Sequence, residues 1–278
     1  MTHRHTKAAV LVVIAFLLFT LIAVAAITFK FTPVHFPGQG ITYAYGVNDS
    51  GVIVGQYFDT KSMGHGFKLH SGTWTKIDPS GSTETICYGI NSTGAIVGEY
   101  VDQSNSGHGF LYENGTFTEI GEGSQSAAGG INDQGDIVGD YLDSNGKQHA
   151  FLWDGQKYTQ LDVPNAQGTG AVGINNQGVI ALVAFYSHPP DLSFLYQQGK
   201  FTQVKVPGAT QTYLGGINNF GDLALTWDDA KGIHGAIRYA GVFYKFDYTP
   251  NYTNVYGIND YHLIVGDTFG KTGFKATF

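Results

Sequence analysis

Four histidines and four aspartates recur at fixed places in this chain, and they are the first residues to weigh for chemistry. His65, His108, His149 and His234 stand at one repeat position, and Asp59, Asp102, Asp143 and Asp229 stand at another shortly before them. Histidine can ligate a metal or move a proton near neutral pH. A catalytic group is needed once, at one place, whereas these recur along the chain. Copies in separate structural units would lie too far apart to share an ion. Their expected role is a structural tie from each imidazole to a neighbouring turn. Asp143-Ser144-Asn145-Gly146 has the opening of an oxygen-ligand calcium loop but lacks the closing glutamate. These four residue types are also ordinary turn formers. No cofactor is expected, calcium being the one weak alternative.

A second group lies where the repeat drifts: Tyr186, His188, Asp191, Trp227, Asp228, Asp229 and Lys231. Aromatic faces, carboxylates and an ammonium in variable segments are the ingredients of a ligand-binding surface. Asp191 paired with Asp228 or Asp229 would suit glycoside chemistry if the carboxyls stood about 5–9.5 Å apart across a pocket. No Gly-x-Ser-x-Gly elbow, His-Glu-x-x-His helix or phosphate-cradling loop occurs. The sequence therefore offers candidate ligand-binding residues but no catalytic or metal set.

The elements that must position these residues follow from composition and repetition. Glycine supplies 39 of 278 residues and aromatics 14%, while charged residues reach only 13%, about half the usual ~25%. Glycine and aromatics are poor helix formers, and glycine turns between aromatic and β-branched runs describe an all-β chain. Tyr45-Gly46-Val47-Asn48 returns as Tyr88-Gly89-Ile90-Asn91 and then as Gly-Ile-Asn ending at Asn132, Asn175, Asn218 and Asn259. The asparagines are 43, 41, 43, 43 and 41 residues apart. Each copy holds four short β runs. The first ends in the Gly-Ile/Val-Asn step, and the second is aliphatic, as in Val97-Gly98. The third carries His-Gly/Ala-Phe, and the fourth follows a glycine turn. Asn at the first turn position with Gly three residues later is type I turn chemistry closing into positive φ. His262 takes the glycine's place in the sixth copy.

Four antiparallel strands per ~40–45 residues, repeated, predict propeller blades. The last copy stops after three strands. Phe31-Thr32-Pro33-Val34 resembles the fourth strand of another copy, Phe201-Thr202-Gln203-Val204. The expectation is an all-β, six-bladed propeller of four-stranded antiparallel blades over 29–278. Its repeats lie near 39–79, 80–122, 123–164, 165–207, 208–250 and 251–278, and the ring is closed by an N-terminal strand at 31–37. Connections after first and third strands are short and formulaic on one face. Those after second and fourth strands vary, so a ligand is expected on that second face.

The motif also resembles a known family. Gly-Ile-Asn-x-x-Gly-x-Ile-Val-Gly followed by His149-Ala150-Phe151-Leu152-Trp153 is similar to the HAF-type extracellular repeat, over about residues 31–278. The resemblance implies a propeller-like, bacterial, secreted or surface protein, and it implies no established activity or catalytic residue. Leu182 and Leu225 replace the second glycine in the fourth and fifth copies, and Leu192 stands in place of the histidine.

Arg4 and Lys7 precede an apolar run from Ala8 to Ile27, the pattern of an export leader. Its length would suit an uncleaved apolar helical anchor across the membrane, whereas Ala23-Val24-Ala25 suits a signal peptidase. Residues 1–28 are therefore expected to be a signal peptide or an anchor, with the remainder exported to the periplasm, cell surface or medium. The net charge of −7 opposes nucleic-acid binding, and a lone Cys87 excludes an internal disulfide. The expected function is a non-enzymatic, monomeric binding scaffold for a glycan or protein partner. The alternative is a propeller glycosidase or polysaccharide lyase acting on an extracellular glycan.

Overall fold

A computed structural model describes residues 27–38, 40–188, 190–250, 252–269 and 272–278. The expected leader at 1–28 falls almost wholly outside the described residues. Among those residues there is no helix, and none long and apolar enough to cross a membrane.

The chain forms six four-stranded antiparallel sheets, and it is a six-bladed β-propeller. Blade 1 contains β2 (Thr42–Val47), β3 (Ile53–Phe58), β4 (Gly64–His70) and β5 (Thr73–Ile77). Blade 2 contains β6 (Glu84–Ile90), β7 (Ile96–Val101), β8 (Gly107–Glu113) and β9 (Thr116–Glu119). Blade 3 contains β10 (Ser126–Ile131), β11 (Ile137–Leu142), β12 (Gln148–Trp153) and β13 (Tyr158–Gln160). Blade 4 contains β14 (Gly168–Ile174), β15 (Ile180–Phe185), β16 (Leu192–Gln197) and β17 (Lys200–Val204). Blade 5 contains β18 (Gln211–Ile217), β19 (Leu223–Asp229), β20 (Gly232–Tyr239) and β21 (Val242–Phe246). In the sixth sheet β22 (Asn254–Ile258), β23 (Leu263–Thr268) and β24 (Thr272–Thr277) are joined by β1 (Lys30–Val34), from the other end of the described chain. Strand β1 runs antiparallel to β24, with Lys30 opposite Thr277 and Val34 opposite Gly273.

The first strand of each blade lies innermost. Each breaks register once, just before its Gly-Ile/Val step, as at Ala44/Gly46 and Ala128/Gly130. Such a bulge adds local twist, and the recurring glycine lets neighbouring inner strands come close. A side chain at Gly46 would strike the Tyr88 carbonyl oxygen at 2.6 Å.

Four of the six blades are cored by a phenylalanine beneath a glycine. Phe67, Phe110, Phe151 and Phe274 are fully buried, and they pair across the ladder with Gly55, Gly98, Gly139 and Gly266. A Cβ at Gly98 would meet the Phe110 ring at 2.9 Å, so the glycine is the space the ring occupies. Blade 5 exchanges the volumes: Leu225 stands opposite Ala236. Blade 4 keeps both large residues, Leu182 opposite Phe194, and there Phe194 is only half-buried.

The repeat asparagines explain their spacing. The Asn48 Oδ1 accepts from the backbone N–H groups of Ser50 and Val52 at 3.1 and 3.0 Å, capping its own turn. Its Nδ2 donates to the carbonyl of Asn91, 43 residues on, at 2.9 Å. Asn91, Asn132, Asn175 and Asn218 each donate in the same way to the next asparagine. All six are buried with both ends of the amide engaged, as buried polar groups require.

Candidate functional site

The rim histidines of blades 1, 2, 3 and 5 each lie between two acids. His149 Nδ1 is 2.7 Å from Asp162 and its Nε2 is 3.5 Å from Asp143. His234 joins Asp247 and Asp229 at 2.8 and 3.2 Å. His65 sits 2.6 Å from Asp78 and 3.6 Å from Asp59. In blade 2 a glutamate takes the first acid's part: His108 lies 2.9 Å from Glu119 and 3.1 Å from Asp102. Bonding to Glu119 first, and to Asp102, raises the His108 pKa. The ring in each case lies against the aromatic residue opposite it in the ladder, Tyr57, Tyr100, Tyr141 or Trp227. The loop aspartates also accept from their own turns: Asp143 Oδ1 takes the N–H groups of Asn145 and Lys147, both at 2.8 Å. These backbone donors hold the Asp143 carboxyl below its ordinary pKa. Among the described residues no three or more His, Cys, Asp or Glu side chains converge as a metal site would need.

The seven candidate residues of the variable loops divide. Trp227 is buried; its Nε1 donates to the Gly235 carbonyl at 3.2 Å and Lys245 lies 3.8 Å from its ring centroid. It occupies the aromatic position against the blade histidine, a role that repetition of Tyr57, Tyr100 and Tyr141 made available but did not announce. Asp229 accepts from Lys231 N–H at 2.7 Å and reaches His234, so it belongs to the rim arrangement. Lys231 and His188 are exposed, and His188 Nδ1 lies 3.2 Å from the Ser187 hydroxyl. Asp191 accepts from the Tyr186 N–H at 3.3 Å. Asp191 and Asp228 both lie near Tyr213, whose hydroxyl pKa is raised chiefly by burial and then by these two charges. One Asp228 oxygen, Oδ1, is buried with no hydrogen-bond partner among the described residues.

The larger feature lies on the axis. A cavity of about 460 Å³ is lined by the inner strands of all six blades. One aliphatic residue from each blade forms a collar: Val47, Ile90, Ile131, Ile174, Ile217 and Ile258. One step before each repeat glycine the lining is unequal. Blades 6, 1 and 2 contribute Tyr256, Tyr45 and Tyr88, while blades 3, 4 and 5 contribute Gly129, Val172 and Gly215. Tyr45 packs on Tyr88 and Tyr256 with centroids 5.5 and 4.9 Å apart. Phe185, Gln148, Asp140 and Tyr213 line the end of the cavity towards the variable loops. At the opposite end the asparagines and the residues after them form a narrow polar ring, in which Asp260 N–H donates to Asp49 Oδ1 at 2.9 Å.

Carboxylates stand behind the tyrosines. The Tyr88 hydroxyl reaches Glu99 Oε2 at 3.5 Å, and Asp267 stands close enough to Tyr256 for the two to shift each other's pKa. Burial, then the charges of Asp140 and Glu84, pushes the Glu99 pKa up to about 7. Burial pushes Asp140 up to about 6, and raises Asp267 as well. Sequence reasoning did not single these residues out. The signal was present in the alignment of the copies, since Gln56, Glu99, Asp140, Val183, Thr226 and Asp267 follow the second-strand motif at one position. That position varies inside an otherwise constant frame.

No family model matches the chain, so the HAF-type resemblance rests on its residues alone. No curated protein matches it either. Solved structures do. A catalytically inactive variant of virginiamycin B lyase from Staphylococcus aureus, solved with quinupristin, is similar at TM-score 0.55 and 16% identity, over 90% of this chain and 100% of that one. AofleA from Arthrobotrys oligospora is similar at TM-score 0.55 and 10% identity, over 89% and 86%. An Aleuria aurantia lectin mutant in complex with Fucα1-6GlcNAc gives TM-score 0.50 and 14% identity, over 87% and 93%. At identities this low the likeness shows the propeller fold and nothing finer.

Proposed function

We infer that this protein is a non-enzymatic binding propeller of the HAF-type, secreted or displayed on a surface, acting as a monomer with its ligand site on the axis. The observation that carries the reading is the cavity of about 460 Å³, framed by the ends of the variable loops and lined unequally by the six blades. That volume is in the range of small-molecule sites, roughly 300–1,000 Å³. Repetition accounts for the collar and the asparagine ring, whereas the tyrosines and glycines of the lining break the repeat. Because a propeller of similar fold was solved with Fucα1-6GlcNAc, glycans are the first ligand class to screen. The rim histidines serve as ties between the second-strand loop and the end of the outer strand, because each has both ring nitrogens engaged. The pairing of β1 with β24 is read as the closure of the ring, and the leader as the means of export.

The test is a glycan and surface-polymer binding screen with the full-length protein, repeated with Gly170→Leu. A Cβ at Gly170 would lie 3.1 Å from Asp140 Oδ2, so this variant fills the cavity from one wall. The reading requires a hit that the variant weakens. A ligand held equally well by both proteins would place the site elsewhere. N-terminal sequencing of the mature product tests the leader.

A second reading, an enzyme acting on glycans, is favoured by one observation. Glu99 and Asp140 are neighbouring carboxyls on adjacent blades with pKa values of about 7 and 6, suited to proton transfer near neutral pH. Turnover of a screened glycan that Asp140→Asn abolishes would favour it.

A further inference from the structure

The axial cavity has aromatic rings and a half-buried carboxylate in its lining, and no cation there answers them. The residues lining it include no Lys, Arg or His. Asp140 lines the wall, hydrogen-bonded by the Gln148 amide and close to the Glu99 carboxyl. Behind the tyrosines lie Glu84, Glu99 and Asp267. The ion pairs among the described residues all lie on the rim, at the four histidines, Lys76 and Lys147; none involves these four carboxylates. A phenol that donates its proton to a carboxylate gains electron density in the ring, which deepens the negative face that attracts cations. Tyr88 is placed in this way towards Glu99, and Tyr256 has Asp267 beside it.

The type of cation follows from the spacing. A hard metal ion needs several oxygens converging at bonding distance, and no such convergence exists among the described residues. An organic ammonium group needs only an aromatic face within about 6 Å and a negative field around it. Low-dielectric walls strengthen that field. The cavity of about 460 Å³ admits a molecule rather than a bare ion.

We propose that the axial cavity binds a small organic cation, its ammonium group lying against the faces of Tyr45, Tyr88 and Tyr256 and its charge balanced by Asp140. This deepens the binding reading above and rests on it. The aromatic faces supply the orientation and the carboxylates the preference for charge.

Calorimetric titration of the full-length protein with choline and with 3,3-dimethylbutan-1-ol tests it. The two probes share a shape and differ in a quaternary nitrogen against a carbon. Choline should bind at least about tenfold more tightly, as a desolvated cation–π contact implies. Asp140→Asn, nearly isosteric, should remove most of that preference, and Tyr45→Leu, checked for folding by circular dichroism, should reduce it. Gly170→Leu should weaken choline. Equal binding of the two probes, no binding of choline, or a preference that survives both Asp140→Asn and Tyr45→Leu overturns the proposal. Should a neutral glycan bind and be displaced by Gly170→Leu while choline shows no advantage, the axial site stands and the cation falls. Should Gly170→Leu disturb no ligand, the axial site falls with it.

Discussion

The side-chain Nδ2 of Asn259 donates to the backbone carbonyl of Asn48 at 2.9 Å, across 211 residues of chain. The same bond joins each earlier asparagine to the next, so the six bonds make a circuit that returns to its first member. Each amide also caps its own turn. One residue type at one position thus fixes a turn and joins two blades.

Removing one link should cost more than a surface bond. Asn132→Ala deletes a buried amide and leaves the N–H groups of Gln134 and Asp136 and the Asn175 carbonyl without it. Unsatisfied buried groups cost about 1–3 kcal/mol. A protein of this size should lose about 2–4 °C of Tm per kcal/mol. Thermal unfolding of Asn132→Ala beside the exposed control Gln134→Ala checks this; equal melting of the two would break the argument.

Deleting residues 30–34 should be worse. It strips β1 from β24 and leaves β24 as an open edge, a template for unwanted pairing. The expected result is a lower Tm and aggregation on heating. A truncated protein that melts like the parent would refute the closure reading.

Gly94 has φ +89 in the Asn91 turn. Gly94→Val should lower the Tm, because a β-branched residue in the left-handed region is strained, although nothing lies within 4 Å of its Cβ. The effect is therefore one of backbone conformation alone, and Gly94→Asn should be milder. His262 shows the tolerance: it holds φ 61 while stacking on Phe278 and meeting Tyr239 edge-on.

Stability should fall as pH rises from about 4 to 7. Glu99 and Asp140 hold their protons more tightly folded than unfolded, with pKa values of about 7 and 6 against ordinary values of 4.5 and 3.8. Folding therefore takes up protons in that interval. The contribution is complete below the ordinary values and is lost as pH passes the raised ones, amounting to a few kcal/mol for the interacting pair together. His108, raised above 6.5, acts with the same sign over a higher window. Melting curves across this range for Glu99→Gln, Asp140→Asn and His108→Gln separate the three. A slope unchanged in both carboxyl variants would show that these groups do not titrate as stated.

Much of the fold was legible in the sequence because it is local and repeated. The Asn-x-x-Gly turns are chemistry within a few residues, and alternation and glycine mark the strands. Repetition multiplies each weak signal by six, so the blade number follows from the asparagine spacing. Tertiary structure decided what faces what. Trp227 looked like a loose aromatic in a drifting loop, and is packed against His234 inside its blade. Tyr45 and Tyr88 looked like scaffold, and they meet Tyr256 on the axis only because blades 6, 1 and 2 are neighbours around a ring. The pKa values of Glu99 and Asp140 likewise depend on burial between blades, which no single copy of the repeat contains. The sequence alone determined the turns, the strands and their count; the ring, by bringing distant copies together around one axis, decided which residues form a cavity and what charge it lacks.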